Sequence, residues 1–311
     1  MWKRLDVIFV LKSPLHIGYL PFKGFVISPT RYYIPGKNLW GVITKRATEN
    51  LYPTRPSDKY REIGEQIKEN FKFSYFYLYD GDTIFVPSYT EEGLIFGDKE
   101  QIINKFEFEH RFIGSRVLTA IDCYLGTAKD ESLHEIEFIK DKFKDKEGQV
   151  KDTRLIGCIW VKNGTNLNGN EIECNEKKGI FVGSFNLIEE LIIGGEQNYG
   201  FGLMKLERII NGRFPIKDSP EGGEIKIVIK ENEPILSHFK YTKDISFCGD
   251  IEIIAGRGYF DIEEAGGKSA TEYKKGAGKI ISNKGYFLSP GTLLKSERKV
   301  SLDWNGILSE E

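Results

Sequence analysis

Nine residues, Gly194-Gly195-Glu196-Gln197-Asn198-Tyr199-Gly200-Phe201-Gly202, concentrate the side chains and backbone most suited to binding chemistry in this sequence. Four of the nine are glycines, which permit positive φ and close backbone approach to a ligand. Successive exposed N–H groups in such a loop can form an anion nest suited to a phosphodiester. Gln197 and Asn198 can hydrogen-bond base edges or riboses, and Tyr199 or Phe201 can stack on a base. The competing reading is a helix C-cap followed by a tight left-handed turn.

Two further groups carry positive charge. Lys37 and Asn38 fall in the first turn of an expected helix, where unpaired N–H groups and the helix dipole attract phosphate. Lys45 and Arg46 lie farther along it, as further contacts or as a solvated face. Near the C-terminus, Lys268, Lys274, Lys275, Lys279 and Lys284 cluster around Tyr273 and several glycines, opposed only by Glu272. That pattern suits a loop tracking a nucleic-acid backbone, and equally a surface hairpin.

Catalytic patterns are sparse. The histidines are His16, His110, His134 and His238. His16 ends a predicted strand beside Gly18, and with Tyr32, Tyr33 and Lys45 it offers a metal-independent general acid or base. A structural histidine is the competing reading. His110 and Arg111 begin a β-like stretch and offer RNA contacts. No Ser-His-Asp order or H-E-x-x-H motif is present. Gly266-Gly267-Lys268-Ser269 resembles the end of a P-loop, but Ile262 occupies the place of its first glycine. Gly256-Arg257-Gly258 lacks its third glycine, since Asp261 stands there. Cys123, Cys158, Cys174 and Cys248 form no CxxC pair. A metal site, a disulfide framework and a bound cofactor are therefore not expected.

The 311 residues suffice for one large or two modest domains, and a formal net charge of −2 argues against a free-standing nucleic-acid binder. A subunit of an assembly needs only a local basic track. The aromatic share of 13% supplies core and leaves rings for base stacking. No apolar run approaches the roughly 18 residues that span a bilayer, and Met1-Trp2-Lys3-Arg4-Leu5-Asp6 does not read as a signal peptide. A cytoplasmic protein with no membrane partner is expected.

The elements that must position these residues follow from periodicity. Leu5, Val7, Phe9 and Leu11 alternate as a strand with one face in a core. After Pro35-Gly36, the residues Leu39, Ile43, Ala47 and Leu51 recur as a helix that stops before Pro53. Tyr60, Ile63, Ile67 and Phe71 mark a second helix around 57–71. Thr83-Ile84-Phe85-Val86 is strand-like, and the charge-dense Lys140 to Lys151 reads as a solvated hairpin tip or loop. Leu155 to Val161 reads as a buried strand. Asn186 with Glu189 reads as the cap of a short helix through Ile192, followed by a strand from Leu203 to Ile210. The order predicts an α+β protein: a ferredoxin-like (RRM-like) βαββαβ domain over 1–212 with an insertion at about 53–150. Alternating Ile225, Ile227 and Ile229, β-like runs at 249–254 and 257–262, and dense glycines predict a β-rich domain over 213–311.

Three segments together resemble the RAMP superfamily of CRISPR-associated proteins. Ser13-Pro14-Leu15-His16-Ile17-Gly18 is similar to the end of the family's first strand, and Tyr33 to Gly41 to its entry into the first helix. Ile193 through Gly202 is similar to its signature glycine-rich loop. Ile121 to Ala128 is a weaker match, departing at Cys123 and then at His134. Gly285 to Gly291 is similar to the C-terminal half of members that cap the RNA 5′ end in type III complexes. The resemblance covers about residues 5–212 and implies ferredoxin-like domains, CRISPR RNA as ligand and other CRISPR-associated subunits as partners. Some relatives slice target RNA with an aspartate after the first strand. Ile17 to Ile34 contains no Asp or Glu, so this chain is expected to lack that activity. The expectation is a guide-holding subunit without catalysis. The alternatives are a processing endoribonuclease centred on His16 and a protein-only scaffold.

Overall fold

A computed structural model describes residues 1–19, 26–54, 57–130, 132–254, 256–257, 281–282 and 285–310. Its first layer is an antiparallel sheet. β1 is Trp2–Leu11 and β2 is Tyr33–Ile34. Two helices follow, α1 at Gly36–Leu51 and α2 at Ser57–Asn70, then β3 at Phe71–Phe73 and β4 at Phe76–Tyr79. An excursion holds α3 at Lys105–Phe112, β5 at Ile113–Leu118, β6 at His134–Ile139, β7 at Lys142–Lys144 and β8 at Val150–Asp152. The chain returns through β9 at Arg154–Lys162 and finishes the sheet with β10 at Glu190–Ile192 and β11 at Leu203–Ile209. The strand order is β10-β11-β1-β9-β4-β2, with β3 also paired to β9. β3 and β4, which fall inside the expected 53–150 insertion, are thus strands of the core sheet.

Both faces of this sheet are covered. Leu5, Val7, Phe9 and Leu11 of β1 face the helix layer with Leu39, Ile43, Ile63 and Ile67. Trp2 and Ile8 of β1, with Ile156, Cys158 and Trp160 of β9, face a second layer with Ile225, Ile227, Phe239, Leu288 and Leu302. The one-sided strand expected for 5–11 is therefore two-sided, which also explains the near-continuous apolar run from Leu155 to Val161. Burying one such large side chain contributes about 1.5–3 kcal/mol.

The second layer is a sheet of β12 (Asp218–Glu221), β13 (Glu224–Ile229), β14 (Phe239–Lys240), β15 (Ile251–Ile253), β16 (Tyr286–Leu288), β17 (Arg298–Leu302) and β18 (Leu308–Ser309). Its order is β12-β13-β17-β18-β14-β16-β15. A polar clasp ties the layers. Buried Asp6 accepts from Arg4 Nε at 2.7 Å and from the Phe214 amide at 2.8 Å. Arg4 also pairs with Asp218, which accepts from Trp160 Nε1 at 2.8 Å.

Three local expectations fail. The helix expected from Asn186 to Ile192 is a turn and strand β10, whose Leu191 pairs with Met204. Asn186 Oδ1 accepts from the Ile188 amide in a turn, and the Leu187 amide bonds Ile180 O, leaving no helical ladder. A short apolar run rich in isoleucine fits a buried strand as well as a helix, and the open edge of β11 selects the strand. A four-stranded sheet from Asn166 to Asn186 occupies the place of the second βαββαβ helix. Thr83 to Val86 is not a strand, since only Ile84 bridges Tyr79. His110 and Arg111 lie in the last turn of α3 rather than in a β-like stretch. The hairpin expected within 140–151 is β7–β8.

Candidate nucleic-acid interface

The glycine-rich loop joins β10 to β11 and is latched to the segment that leaves β1. The Gly195 amide donates to His16 O at 2.9 Å, and the Gly202 amide to Pro14 O at 2.8 Å. Ser13 Oγ accepts from the Leu203 amide at 2.9 Å. These latches require glycine. Gly194 has φ +89, and a Cβ there would lie 2.3 Å from His16 O. Gly202 has φ +87, and its Cβ would lie 2.0 Å from Ile193 O. The loop crest is a single 3₁₀ turn, Gln197–Tyr199, entered by Glu196 and left by Gly200, both at positive φ. Gln197, Asn198 and Tyr199 project to solvent, with Tyr199 64% exposed. Gln197 Nε2 donates to Gly194 O at 3.0 Å and steadies the crest. Phe201 is buried edge-on against Phe138, so of the two aromatics only Tyr199 can stack on a ligand.

His16 supports this loop. It is buried, and its Nδ1 lies 2.7 Å from Glu137 O of β6. A carbonyl only accepts, so Nδ1 carries the proton and donates. Leu15 and Ile139 exchange both backbone bonds beside it. The glycine loop, the end of β1 and β6 therefore form one unit. β5 and β6 extend from it as an arm carrying a short hairpin, Ile121–Asp122 with Thr127–Ala128. Tyr124 at the hairpin turn and Arg116 on β5 are exposed.

Other expected site residues lie elsewhere. Tyr32 Oη bonds Glu109, and Tyr33 Oη accepts from Arg31 Nη1 at 2.9 Å on the layer that faces the second sheet. Lys45 is exposed on α1. Among the described residues no hydrogen bond joins His16, Tyr32, Tyr33 and Lys45, so the acid–base set is not assembled. Arg46 donates to Leu187 O and Asn186 O at 3.1 and 3.3 Å and lies over the Phe185 ring, a structural clamp. The first turn of α1 is roofed by the C-terminal segment. A Cβ on Gly36 would meet Asn305 O at 2.6 Å and Phe73 O at 2.8 Å. Burial, aided by the charge of Lys68, lowers Lys37 to about 8. Lys37 and Asn38 thus do not form an open phosphate cradle. Lys274, Lys275 and Lys279, with Lys268 and Lys284, lie outside the described residues.

Sequence reasoning missed one constellation. His238 is buried, with Nδ1 2.6 Å from Tyr75 Oη and Nε2 against Glu252. Arg31 Nη2 lies 2.9 Å from Glu252 Oε2. Burial lowers His238, so the ring is neutral at pH 7. Glu252 only accepts, so Nε2 carries the proton and Nδ1 accepts from Tyr75 Oη. Burial alone would raise the Glu252 carboxyl, but the His238 hydrogen bond and the Arg31 charge outweigh it and hold it at about 2. Arg31 and Glu252 are 221 residues apart, so no local signal marks the cluster. It ties the two layers. Among the described residues, no cluster of three or more His, Cys, Asp or Glu side chains suits a metal ion. No helix among them is long and apolar enough to cross a membrane.

No protein-family model matches the chain, and no curated protein matches it. Solved structures do. One is a chain of a type III-B Cmr-beta complex bound to cognate target RNA and AMPPnP, at 12% identity and TM-score 0.49, covering 94% of this chain and 86% of that one. Another, from Cmr-beta bound to cognate target RNA, has 11% identity and TM-score 0.40 over 67% of this chain and 97% of that one. A crystal structure of Cmr4 has 14% identity and TM-score 0.27 over 66% and 98%.

Proposed function

We propose that this chain is a non-catalytic, cytoplasmic subunit of an RNA-guided CRISPR effector complex that holds CRISPR RNA by its backbone. The observation that carries the reading is the glycine-rich loop. It is braced on His16 and Pro14 and offers Gln197, Asn198 and Tyr199 to solvent, while exposed Arg116 lies over the ring of its Phe201. Backbone-directed contacts position RNA without reading much sequence. The motif resemblance over about 5–212 supports CRISPR RNA as the ligand. The core strand order supports a ferredoxin-like domain over 1–212, its second helix replaced by small strands, with a β-rich domain over 213–311. His16 is buried and committed to Glu137 O, which supports a structural role over general acid–base catalysis.

The test incubates purified protein with labelled repeat-containing RNA in EDTA, read on native and denaturing gels. The expected result is retention without cleavage, weakened about five-fold or more by Tyr199→Ala, the scale of one lost base stack. Absence of binding, or wild-type affinity in Tyr199→Ala, would overturn the reading. Cleavage at one phosphate that disappears in His16→Ala would replace it with a processing nuclease.

A further inference from the structure

A second surface, built entirely from the excursion between β4 and β9, has the chemistry of a single-stranded RNA platform. A cavity of about 630 Å³ opens between the last turn of α3, Lys140 and the β7–β8 hairpin. Arg111, Lys140, Lys142, Lys144 and Lys146 line it, against the carboxylates of Glu107 and Asp145 only. Both carboxylates are already engaged. Glu107 closes the capping box of α3 with Asn104, and Asp145 pairs with Lys151 at 2.8 Å. Among the described residues, Lys144 and Lys146 have no carboxylate in ion-pair range, and the nearest to Lys142 is Asp152 at 3.9 Å. Arg111 is fixed from below by Asp80 at 2.9 Å and by the rings of Phe85, Phe112 and Phe143. Alternation along β7 buries Phe143 and turns Lys142 and Lys144 outward together.

At the rim stands an aromatic that the core does not use. Phe106 is 76% exposed and lies over His110, the ring planes 22° apart. Ile102, between the lining residues Gln101 and Ile103, and the lining residue Val150 on β8 are both exposed. A basic groove edged by exposed rings is the combination by which proteins hold single strands: cations follow the phosphates while bases stack. The groove is joined through strand β6 to the segment that braces the loop described above. Glu137 and Ile139 of β6 contact His16 and Leu15, and the next residue, Lys140, enters the groove, where its Nζ donates to His110 O at 2.9 Å.

We infer that the Phe106–His110 stack and the Lys142, Lys144 and Lys146 groove form a second single-stranded RNA contact, reached by the strand that passes the glycine-rich loop. The inference rests on RNA as the ligand of the chain and extends the path to a surface of different composition. The phosphodiester is held by the lysines and one base lies on Phe106.

The test uses the full chain, a labelled single-stranded repeat RNA and four proteins besides the wild type: Phe106→Ala, Phe106→Tyr, the triple variant Lys142→Gln/Lys144→Gln/Lys146→Gln, and Tyr199→Ala. All the substituted side chains are exposed, and circular dichroism and melting verify that each variant folds. Phe106→Ala is expected to weaken binding about five-fold, with Phe106→Tyr at wild-type affinity because a phenol ring still stacks. The triple variant is expected to lower the slope of log affinity against log salt by about 2, at roughly 0.7 per phosphate contact on a single strand. If Tyr199→Ala weakens binding while Phe106→Ala and the triple variant bind as wild type, the platform is overturned, the patch is left to protein contact, and the loop reading survives. If only the platform variants weaken binding, the platform stands and the loop reading falls. If the wild type binds no RNA, both fall.

Discussion

Replacing Glu252 by glutamine removes one charge from the buried cluster that joins the two layers while preserving its shape. The Arg31 side chain is only 7% exposed and Glu252 22%, so Arg31 would be left as a buried cation without its counterion. Breaking such a pair from one side costs about 3–5 kcal/mol, and the partial exposure of Glu252 places this case at the low end. The carboxyl titration gives a second route to the number. The fall from the ordinary 4.5 to about 2, at about 1.4 kcal/mol per pH unit, corresponds to at most about 3.5 kcal/mol, since part of it comes from a His238 charge that the neutral ring lacks. The carboxyl is depressed in the folded state, so this stability is present above pH 4.5 and lost as the pH falls toward 2. The assay is urea unfolding followed by tryptophan fluorescence on both proteins across pH. The expected difference is about 3 kcal/mol at pH 7, shrinking to less than half by about pH 3. Arg31→Met/Glu252→Gln should lose less than Glu252→Gln alone, because the orphaned charge is gone. A Glu252→Gln protein within about 0.5 kcal/mol of wild type at pH 7, or a difference that does not shrink on acidification, refutes the reasoning.

Gly202→Ala should destabilise by at least about 1–3 kcal/mol and abolish RNA retention, since its Cβ would enter Ile193 O at a left-handed φ; a melting curve with a native gel checks both. Arg46→Ala should cost about 1–2 kcal/mol through the lost bonds to Leu187 O and Asn186 O, yet leave RNA affinity unchanged by gel shift. Among the thiols, exposed Cys123 should react first with a disulfide reagent. Burial, with the neighbouring Asp6 carboxylate, pushes the Cys158 thiol well up, so it should react only after denaturation. A thiol-labelling time course with peptide mapping reads the order.

Much of the core was legible because local chemistry dictated it. Alternation in Leu5 to Leu11, the four-residue recurrence from Leu39 to Leu51, and the stripe Ile63 to Ile67 each name an element by its own period. The glycine loop was legible for a similar reason: backbone at positive φ beside a carbonyl admits little else, so Gly194 and Gly202 announce the turn before any fold is known. What the sequence left open was decided by partners far along the chain. Leu187 to Ile192 has an apolar pattern compatible with helix or strand, and its second half became strand β10 because the edge of β11 offered unpaired hydrogen-bonding groups. Lys37 and Asn38 look like a phosphate cradle until Asn305, more than 260 residues later, is laid over the helix start. Phe201 and Tyr199 are equivalent as letters, and only packing against Phe138 separates the core ring from the exposed one. The cluster Arg31–Glu252–His238 and the meeting of His110 on α3 with Lys142 on β7 belong to tertiary structure altogether. Burial, counter-charge and exposure are properties of neighbours in space, and a sequence records only neighbours in the chain.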